Sequence, residues 1–101
     1  MIIVSTVTYP PSQSTEATRA FIKSTETPLP PFVKRLYVLT MGDIEHGTKV
    51  LGIYEVDDGK VPDGIKEVVK RYAELFFGIE GFRYQIEAAL TAEEAIPLLQ
   101  L

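Results

Sequence analysis

The sequence lacks the residues on which several common kinds of site depend. Its 101 residues contain no cysteine and a single histidine. The absence of cysteine excludes disulfides, thiolate nucleophiles and thiolate metal ligands, and it suits a reducing compartment, so we expect a cytoplasmic protein. A basic excess is absent too, since 10 lysines and arginines are scattered among 14 acidic residues. Because clustered positive charge drives binding to phosphate, we expect no nucleic-acid partner.

Long hydrophobic runs are absent as well. The longest apolar run at the N-terminus is Ile2-Ile3-Val4, with no basic region before it. This pattern indicates a strand rather than a signal peptide or a membrane span, and we expect no membrane partner. Hydrophobic residues make up 46% of the chain and charged residues 24%, as in ordinary globular domains. We therefore expect a single domain over residues 1–101 that buries a core without cross-links.

Hydrophobic periodicity predicts the element order strand, helix, strand, strand, helix, strand. Alternating apolar and polar residues indicate strands, and apolar residues three and four positions apart indicate helices. In the second helix Glu67 precedes Arg71 by four residues, which predicts an ion pair on the outer surface. Thr91-Ala92-Glu93-Glu94 is a capping box and predicts a short final helix. The predicted strands cover residues 2–9, 33–44, 48–56 and 82–90.

The clearest hairpin is centred on Glu45-His46-Gly47. If His46-Gly47 forms a two-residue turn, the register follows, because a slip of one residue moves every side chain to the opposite sheet face. A three-residue loop would break this assignment. The two-residue turn predicts one face with Leu36, Val38, Leu51 and Ile53, and an opposite face with Arg35, Tyr37, Leu39, Met41, Val50, Gly52, Tyr54 and Val56.

These elements predict an α+β two-layer sandwich. The split βαβ order fits the ferredoxin-like arrangement, with an antiparallel sheet of strand order 4-1-3-2, two helices on one face and a short C-terminal helix. The helices require the aliphatic face of the hairpin, which leaves the other face open and rich in apolar side chains. Soluble monomers seldom expose that much apolar surface. We therefore expect a homodimer whose interface consists of Tyr37, Leu39, Met41, Val50, Tyr54 and Val56.

The element order, the doubly apolar sheet and the tail resemble a known group of proteins. Glu80-Gly81-Phe82 and Leu90-Thr91-Ala92-Glu93-Glu94-Ala95 are similar to segments of small members of the dimeric α/β-barrel superfamily, and the likeness in architecture covers nearly the whole chain. The resemblance implies a homodimer with sheets packed face to face and a cavity in each subunit between sheet and helices. Members include cofactor-free monooxygenases, isomerases, haem-degrading enzymes and proteins without a known activity.

No catalytic motif of that superfamily can be placed on the sequence. A haem-ligating histidine on a helix is absent, because His46 lies in a turn, and we expect no cofactor. Arg35, Tyr37 and Tyr54 are the ligand-binding candidates, since a guanidinium and two phenols can hold a carboxylate or an enolate-like oxygen. The alternative, which we favour for these three, is a dimer interface, where Tyr and Arg are enriched. Tyr72 is predicted to be core.

Asp43, Glu45 and His46 are the nearest approach to a metal-ligand set. We interpret them as turn residues, expect no metal site, and expect His46 to be exposed and not catalytic. Two functions stay open. In the first, the protein binds or transforms a small apolar or aromatic carboxylate in a cavity between sheet and helices. In the second, it is a non-catalytic dimeric interaction module. Fold analogy does not decide between an enzyme and a binding protein.

Overall fold

Four strands and three α-helices form this protein, whose residues 1–99 are described by a computed structural model. The predicted order of elements is confirmed, including the short C-terminal helix. Within residues 1–99, none of the helices has the length and apolar character needed to cross a membrane. The elements are β1 (Ile2–Tyr9), a 3₁₀ turn (Pro11–Gln13), α1 (Ser14–Glu26), β2 (Val33–Asp43), β3 (Gly47–Val56), α2 (Val61–Leu75), β4 (Arg83–Ala89) and α3 (Ala92–Leu99).

The four strands form one antiparallel sheet in the order β2-β3-β1-β4. The predicted α+β class and the predicted strand order are therefore confirmed. Ser5 of β1 lies opposite Gly52 of β3 on one side and Ile86 of β4 on the other. This register places Ser5 near the middle of the sheet, where it becomes part of the candidate site.

Burial alternates along the two central strands, as expected for a sheet with one covered face. In β1 the buried positions are Ile3, Ser5, Val7 and Tyr9. Side chains from β2, β3, α1, α2 and the residue after α2 join the apolar members of this set in a single core cluster. Its main members are Ile3, Val7, Tyr9, Ala17, Ala20, Val33, Val50, Tyr54, Val56, Val68, Tyr72 and Phe76.

The predicted hairpin register is wrong. The loop has three residues, 44–46, so that Asp43 pairs with Gly47 and Tyr37 lies opposite Ile53. A β-bulge between Arg35 and Tyr37 then shifts the register once more. Because each shift of one residue exchanges the two faces, Arg35 lies opposite Tyr54 while Tyr37 is directed to the other side of the sheet.

This register divides the predicted interface between the two faces. Val50, Tyr54 and Val56 are only 4%, 6% and 1% exposed, because they belong to the core beneath the helices. The prediction that they lie on the open face is wrong. Tyr37, Leu39 and Met41 are 61%, 45% and 38% exposed and share the other face with Leu51 and Ile53, which were predicted to lie under the helices. We call these five residues the open-face patch.

Arg71 is buried, which corrects the predicted surface position of the Glu67–Arg71 pair. The pair is present, with 3.6 Å between Arg71 Nε and Glu67 Oε1. The guanidinium also donates hydrogen bonds to the carbonyls of Ser24 (2.9 Å), Thr27 (2.9 Å) and Pro28 (2.6 Å). These carbonyls lie at the end of α1 and in the connector that follows it. Arg71 therefore fixes the end of α1 against α2.

The capping box at the start of α3 is confirmed. The Thr91 amide donates to Glu94 Oε1 at 3.0 Å, and the Glu94 amide donates to Thr91 Oγ1 at 3.1 Å. The hydrogen bond from the Thr91 amide lowers the pKa of the Glu94 carboxyl. The helix that follows exposes Ile96, Leu98 and Leu99. Apolar side chains thus remain accessible on α3 as well as on the open-face patch.

Candidate functional site

A cavity of about 350 Å³ lies between α1, α2 and the covered face of the sheet. It lies beside the edge strand β2, where Val38 is still 46% exposed although it is on the helix side of the sheet. Aliphatic and aromatic side chains form most of its wall, with a smaller polar region. The lining residues used below are Tyr9, Phe21, Ile22, Arg35, Val38, Val50, Gly52, Tyr54, Val68, Arg71 and Tyr72.

Three hydroxyl groups meet beside Gly52. Ser5 Oγ and Tyr72 Oη are 2.8 Å apart in a buried hydrogen bond. A Cβ atom at Gly52 would lie 2.6 Å from Ser5 Oγ and 3.1 Å from Tyr54 Oη. Only a residue without a side chain leaves room for these groups, a common reason for glycine within a strand. We call Ser5, Tyr54 and Tyr72 the hydroxyl cluster.

Within the hydroxyl cluster, the Tyr72 phenol is a hydrogen-bond donor rather than a base. Burial raises the pKa of the Tyr72 phenol far above its usual value, and the nearby Tyr54 adds to the rise. The hydrogen bond with Ser5 and the charge of Arg35 offset part of that increase. Tyr72 is therefore protonated throughout the physiological pH range. It can donate to an anion or a carbonyl oxygen but does not abstract a proton.

Arg35 brings positive charge to the same cavity. Its Cζ atom lies 5.8 Å from the centroid of the Tyr54 ring. Its Nε is buried and has no hydrogen-bond partner within residues 1–99. Leaving a buried donor unpaired costs about 1–3 kcal/mol, and such groups are few in native proteins. Arg71 Nε is also buried without a hydrogen-bond partner, but it lies 3.6 Å from Glu67 Oε1, so Arg35 is the cavity arginine without an acidic partner within residues 1–99.

The charged side chains that line the cavity within residues 1–99 are all positive. Its lining includes Arg35 and Arg71, and the lining residues within 1–99 include no aspartate, glutamate or histidine. Arg71 is already engaged with three backbone carbonyls. Arg35 is therefore the arginine whose charge is available to a ligand, and the cavity favours anions.

Two of the three predicted ligand-binding residues meet at the cavity. Arg35 and Tyr54 are cross-strand partners on the covered face. Tyr37 does not join them, because the bulge directs it to the open face. Sequence reasoning missed the roles of Ser5 and Tyr72. One signal was present, since Ser5 is a polar residue at a core-facing position between Ile3 and Val7.

A second, wider depression of about 760 Å³ lies beside the tip of the hairpin. Its lining carries both signs of charge, from Asp43 and Glu45 and from Lys49 and Arg83. Asp43 accepts a hydrogen bond from the His46 amide at 3.1 Å and contacts the imidazole Nδ1, and hydrogen bonding to His46 lowers the pKa of the Asp43 carboxyl. As predicted, His46 is an exposed turn residue.

Within residues 1–99, no residue that lines this depression has a buried side-chain nitrogen or oxygen without a hydrogen-bond partner. Across the described part of the chain, no group of three or more His, Cys, Asp or Glu side chains is arranged to hold a metal ion. Asp43 instead pairs with His46 within the hairpin turn. The cavity between α1 and the sheet is therefore the better candidate site.

Comparison with known proteins assigns no family to this chain. No protein-family model matches the sequence. No curated protein matches it either. Among solved structures, a formyltetrahydrofolate deformylase from Pseudomonas putida KT2440 is similar with a TM-score of 0.40 and 12% identity, over 88% of this chain and 29% of that one. This chain spans less than a third of that protein, and a likeness of this degree carries no argument about function.

Proposed function

We propose that the protein binds or transforms a small apolar or aromatic carboxylate in the cavity between sheet and helices, as a cytoplasmic homodimer of ferredoxin-like subunits. The observation that carries the proposal is the Arg35 guanidinium, which has no hydrogen-bond partner at Nε and no acidic partner within residues 1–99, in a cavity whose described lining contains no acidic residue. A carboxylate would complete the hydrogen bonding of that guanidinium, and arginine–carboxylate pairs are among the stronger hydrogen-bonded contacts.

The rest of the wall suits an apolar tail. Phe21, Ile22, Val38, Val50 and Val68 line the cavity. Its volume of about 350 Å³ is near the lower end of the range of about 300–1,000 Å³ typical of ligand pockets. The site therefore fits a small ligand with one anionic end and one apolar end.

The chemistry of the lining favours holding an anion over removing a proton. Phenols and a guanidinium are donors, and the lining residues within 1–99 offer no carboxylate or imidazole as a general base. If the bound molecule is transformed, these donors would stabilise negative charge that develops on a substrate oxygen.

Ligand binding is tested by isothermal titration calorimetry with 3-phenylpropionate. We expect binding to the wild-type protein and a loss of affinity of about tenfold or more in Arg35→Met, the scale for a charge-assisted hydrogen bond. Lys34→Met is the matched control, since it removes the neighbouring positive charge outside the cavity lining. The neutral 3-phenylpropanamide should bind much less tightly than the acid.

Equal affinities in Arg35→Met and Lys34→Met would contradict the role of Arg35. If the wild-type protein binds neither compound but is dimeric, the result favours the alternative of a non-catalytic dimeric interaction module.

The homodimer is supported by the open-face patch, whose Tyr37, Leu39 and Met41 are substantially exposed. The ferredoxin-like assignment is supported by the strand order β2-β3-β1-β4. A second copy packed on the patch would remove this apolar surface from water. The opposite edge of the same face is polar, with exposed Arg83, Gln85 and Glu87, which limits the predicted contact to the β2–β3–β1 side.

Light scattering during size-exclusion chromatography tests the dimer. At micromolar concentration we expect a mass of twice 11.3 kDa for the wild-type protein and a shift to 11.3 kDa in Leu39→Glu. The reason is that a pair of symmetry-related carboxylates would be buried in the interface without partners. Phe77→Glu, at a 90% exposed position outside the patch, is the control and should stay dimeric. A wild-type monomer would contradict the proposal.

A further inference from the structure

The hydroxyl cluster holds more protons than its internal contacts can use. Ser5, Tyr54 and Tyr72 each bring one O–H group, and the bond between Ser5 and Tyr72 uses one of these three protons. A contact between Tyr54 and Tyr72 would use a second. When Ser5 donates to Tyr72, the remaining proton lies on one of the two phenols, which can donate it outside the cluster.

That remaining donor belongs to the cavity. Tyr54 and Tyr72 both line it, whereas Ser5 is fully buried behind them. Both phenols are largely shielded from bulk solvent, so an acceptor reaches them through the cavity. A ligand oxygen at this point can accept the remaining proton.

The two kinds of donor are neighbours in one cavity. The Arg35 guanidinium lies beside the Tyr54 ring, with 5.8 Å between Cζ and the ring centroid. A guanidinium paired with a carboxylate in the usual two-point geometry engages both carboxylate oxygens. The phenol donor then remains available to a second oxygen close to the carboxylate.

We propose that the ligand is a 2-oxo or 2-hydroxy acid with an apolar or aromatic tail. Its carboxylate pairs with Arg35, and its C2 oxygen accepts a hydrogen bond from Tyr54 or Tyr72. This inference rests on the proposed function, because it specifies the ligand of the same cavity. The hydroxyl cluster is the feature of the protein that would favour such acids over simple carboxylates.

Calorimetric titration of the wild-type protein with three acids of the same tail tests the inference. Phenylpyruvate and phenyllactate carry an oxygen at C2, and 3-phenylpropionate does not. We expect at least one of the first two to bind about tenfold or more tightly than 3-phenylpropionate, since a site built to hydrogen-bond an oxygen discriminates against the analogue that lacks it. Because this comparison uses only the wild-type protein, it does not depend on the folding of any variant.

Substitution of the phenols tests which side chain is responsible for the preference for a C2 oxygen. Tyr54→Phe and Tyr72→Phe should each lower the ratio between the affinity for the acid with a C2 oxygen and the affinity for 3-phenylpropionate, because a donor to that oxygen is lost. Tyr9→Phe is the matched control, since Tyr9 also lines the cavity but lies outside the hydroxyl cluster, and it should retain the preference.

The outcomes separate this inference from the proposed function. Equal affinities for all three acids would overturn the inference and leave carboxylate binding intact. The same holds if the preference persists in both Tyr54→Phe and Tyr72→Phe. If none of the three acids binds, both the inference and the proposed function are wrong.

Discussion

Replacing Arg71 with methionine is expected to lower the free energy of unfolding by about 3 kcal/mol, because a hydrogen bond that involves a charged group contributes about 1.5–3 kcal/mol. Three such bonds are lost, to the carbonyls of Ser24, Thr27 and Pro28. The estimate stays below their sum because the carbonyls at this helix end can recover some hydration. The positive charge at the C-terminal end of α1 is also favourable for the helix dipole.

Urea denaturation measures this effect, and Arg19→Met is its control. Arg19 lies on the exposed surface of α1, where its guanidinium pairs with Glu16 at 3.0 Å. An exposed pair of this kind contributes about 0–1 kcal/mol, so the same chemical change should be nearly neutral there. A loss of less than 1 kcal/mol in Arg71→Met would show that the buried guanidinium does not fix the end of α1.

Lysine should not replace Arg71 well. The side chain keeps its positive charge, but the ammonium group lacks the planar fork through which arginine reaches three carbonyls at once. We expect Arg71→Lys to lower the free energy of unfolding by more than half of the loss expected for Arg71→Met. Since α1 forms one wall of the cavity, both substitutions should also weaken ligand binding.

Replacing Gly52 with alanine is expected to destabilise the protein by about 1–3 kcal/mol, the usual cost of overpacking a buried position. The added Cβ would lie 2.6 Å from Ser5 Oγ, and Ser5 is fully buried at the centre of the sheet. Relief would require Ser5 to move away from Tyr72 or the two central strands to separate. Either change breaks the hydroxyl cluster, so the preference for a C2 oxygen should fall together with the stability.

Gly42→Ala is the matched control for this substitution. Gly42 lies in the adjacent strand β2, and a Cβ atom there would have no neighbour within 4 Å. Its thermal unfolding midpoint should stay close to that of the wild-type protein, or rise slightly through the loss of backbone freedom in the unfolded chain. If Gly52→Ala and Gly42→Ala unfold at the same temperature, the close contact at Gly52 has no energetic importance.

Periodicity and capping residues were sufficient for the element order, and the strand order followed from the connections expected of a split βαβ arrangement. Alternation in β1 and the Thr91–Glu94 capping box are local patterns, and local patterns can be seen in a sequence. The register of the hairpin was not accessible in this way. The register depends on whether the loop has two residues or the three residues 44–46. It also depends on the bulge near Leu36, which no residue type in the sequence predicts.

The error in register determined which site residues were recognised. Arg35 and Tyr54 were identified as a chemical pair, but on the open face rather than beneath the helices. Tyr37 was added to them because the bulge that separates it from Arg35 was not foreseen. Ser5 and Tyr72 were missed because a contact between residues 67 positions apart leaves no periodic signal. Glycine at position 52 was the local sign of a close approach at that point.

Ligand binding in the cavity is tested most directly by recording amide ¹H–¹⁵N NMR spectra during titration with phenyllactate. The expected result is saturable shifts concentrated at Arg35, Gly52, Tyr54 and Tyr72, with little change at Asp43, His46 and Arg83 beside the hairpin tip. In Arg35→Met the same ligand concentrations should produce much smaller shifts. Shifts confined to the hairpin tip, or no saturable shifts at concentrations up to the millimolar range, would contradict the assignment of this cavity as the binding site.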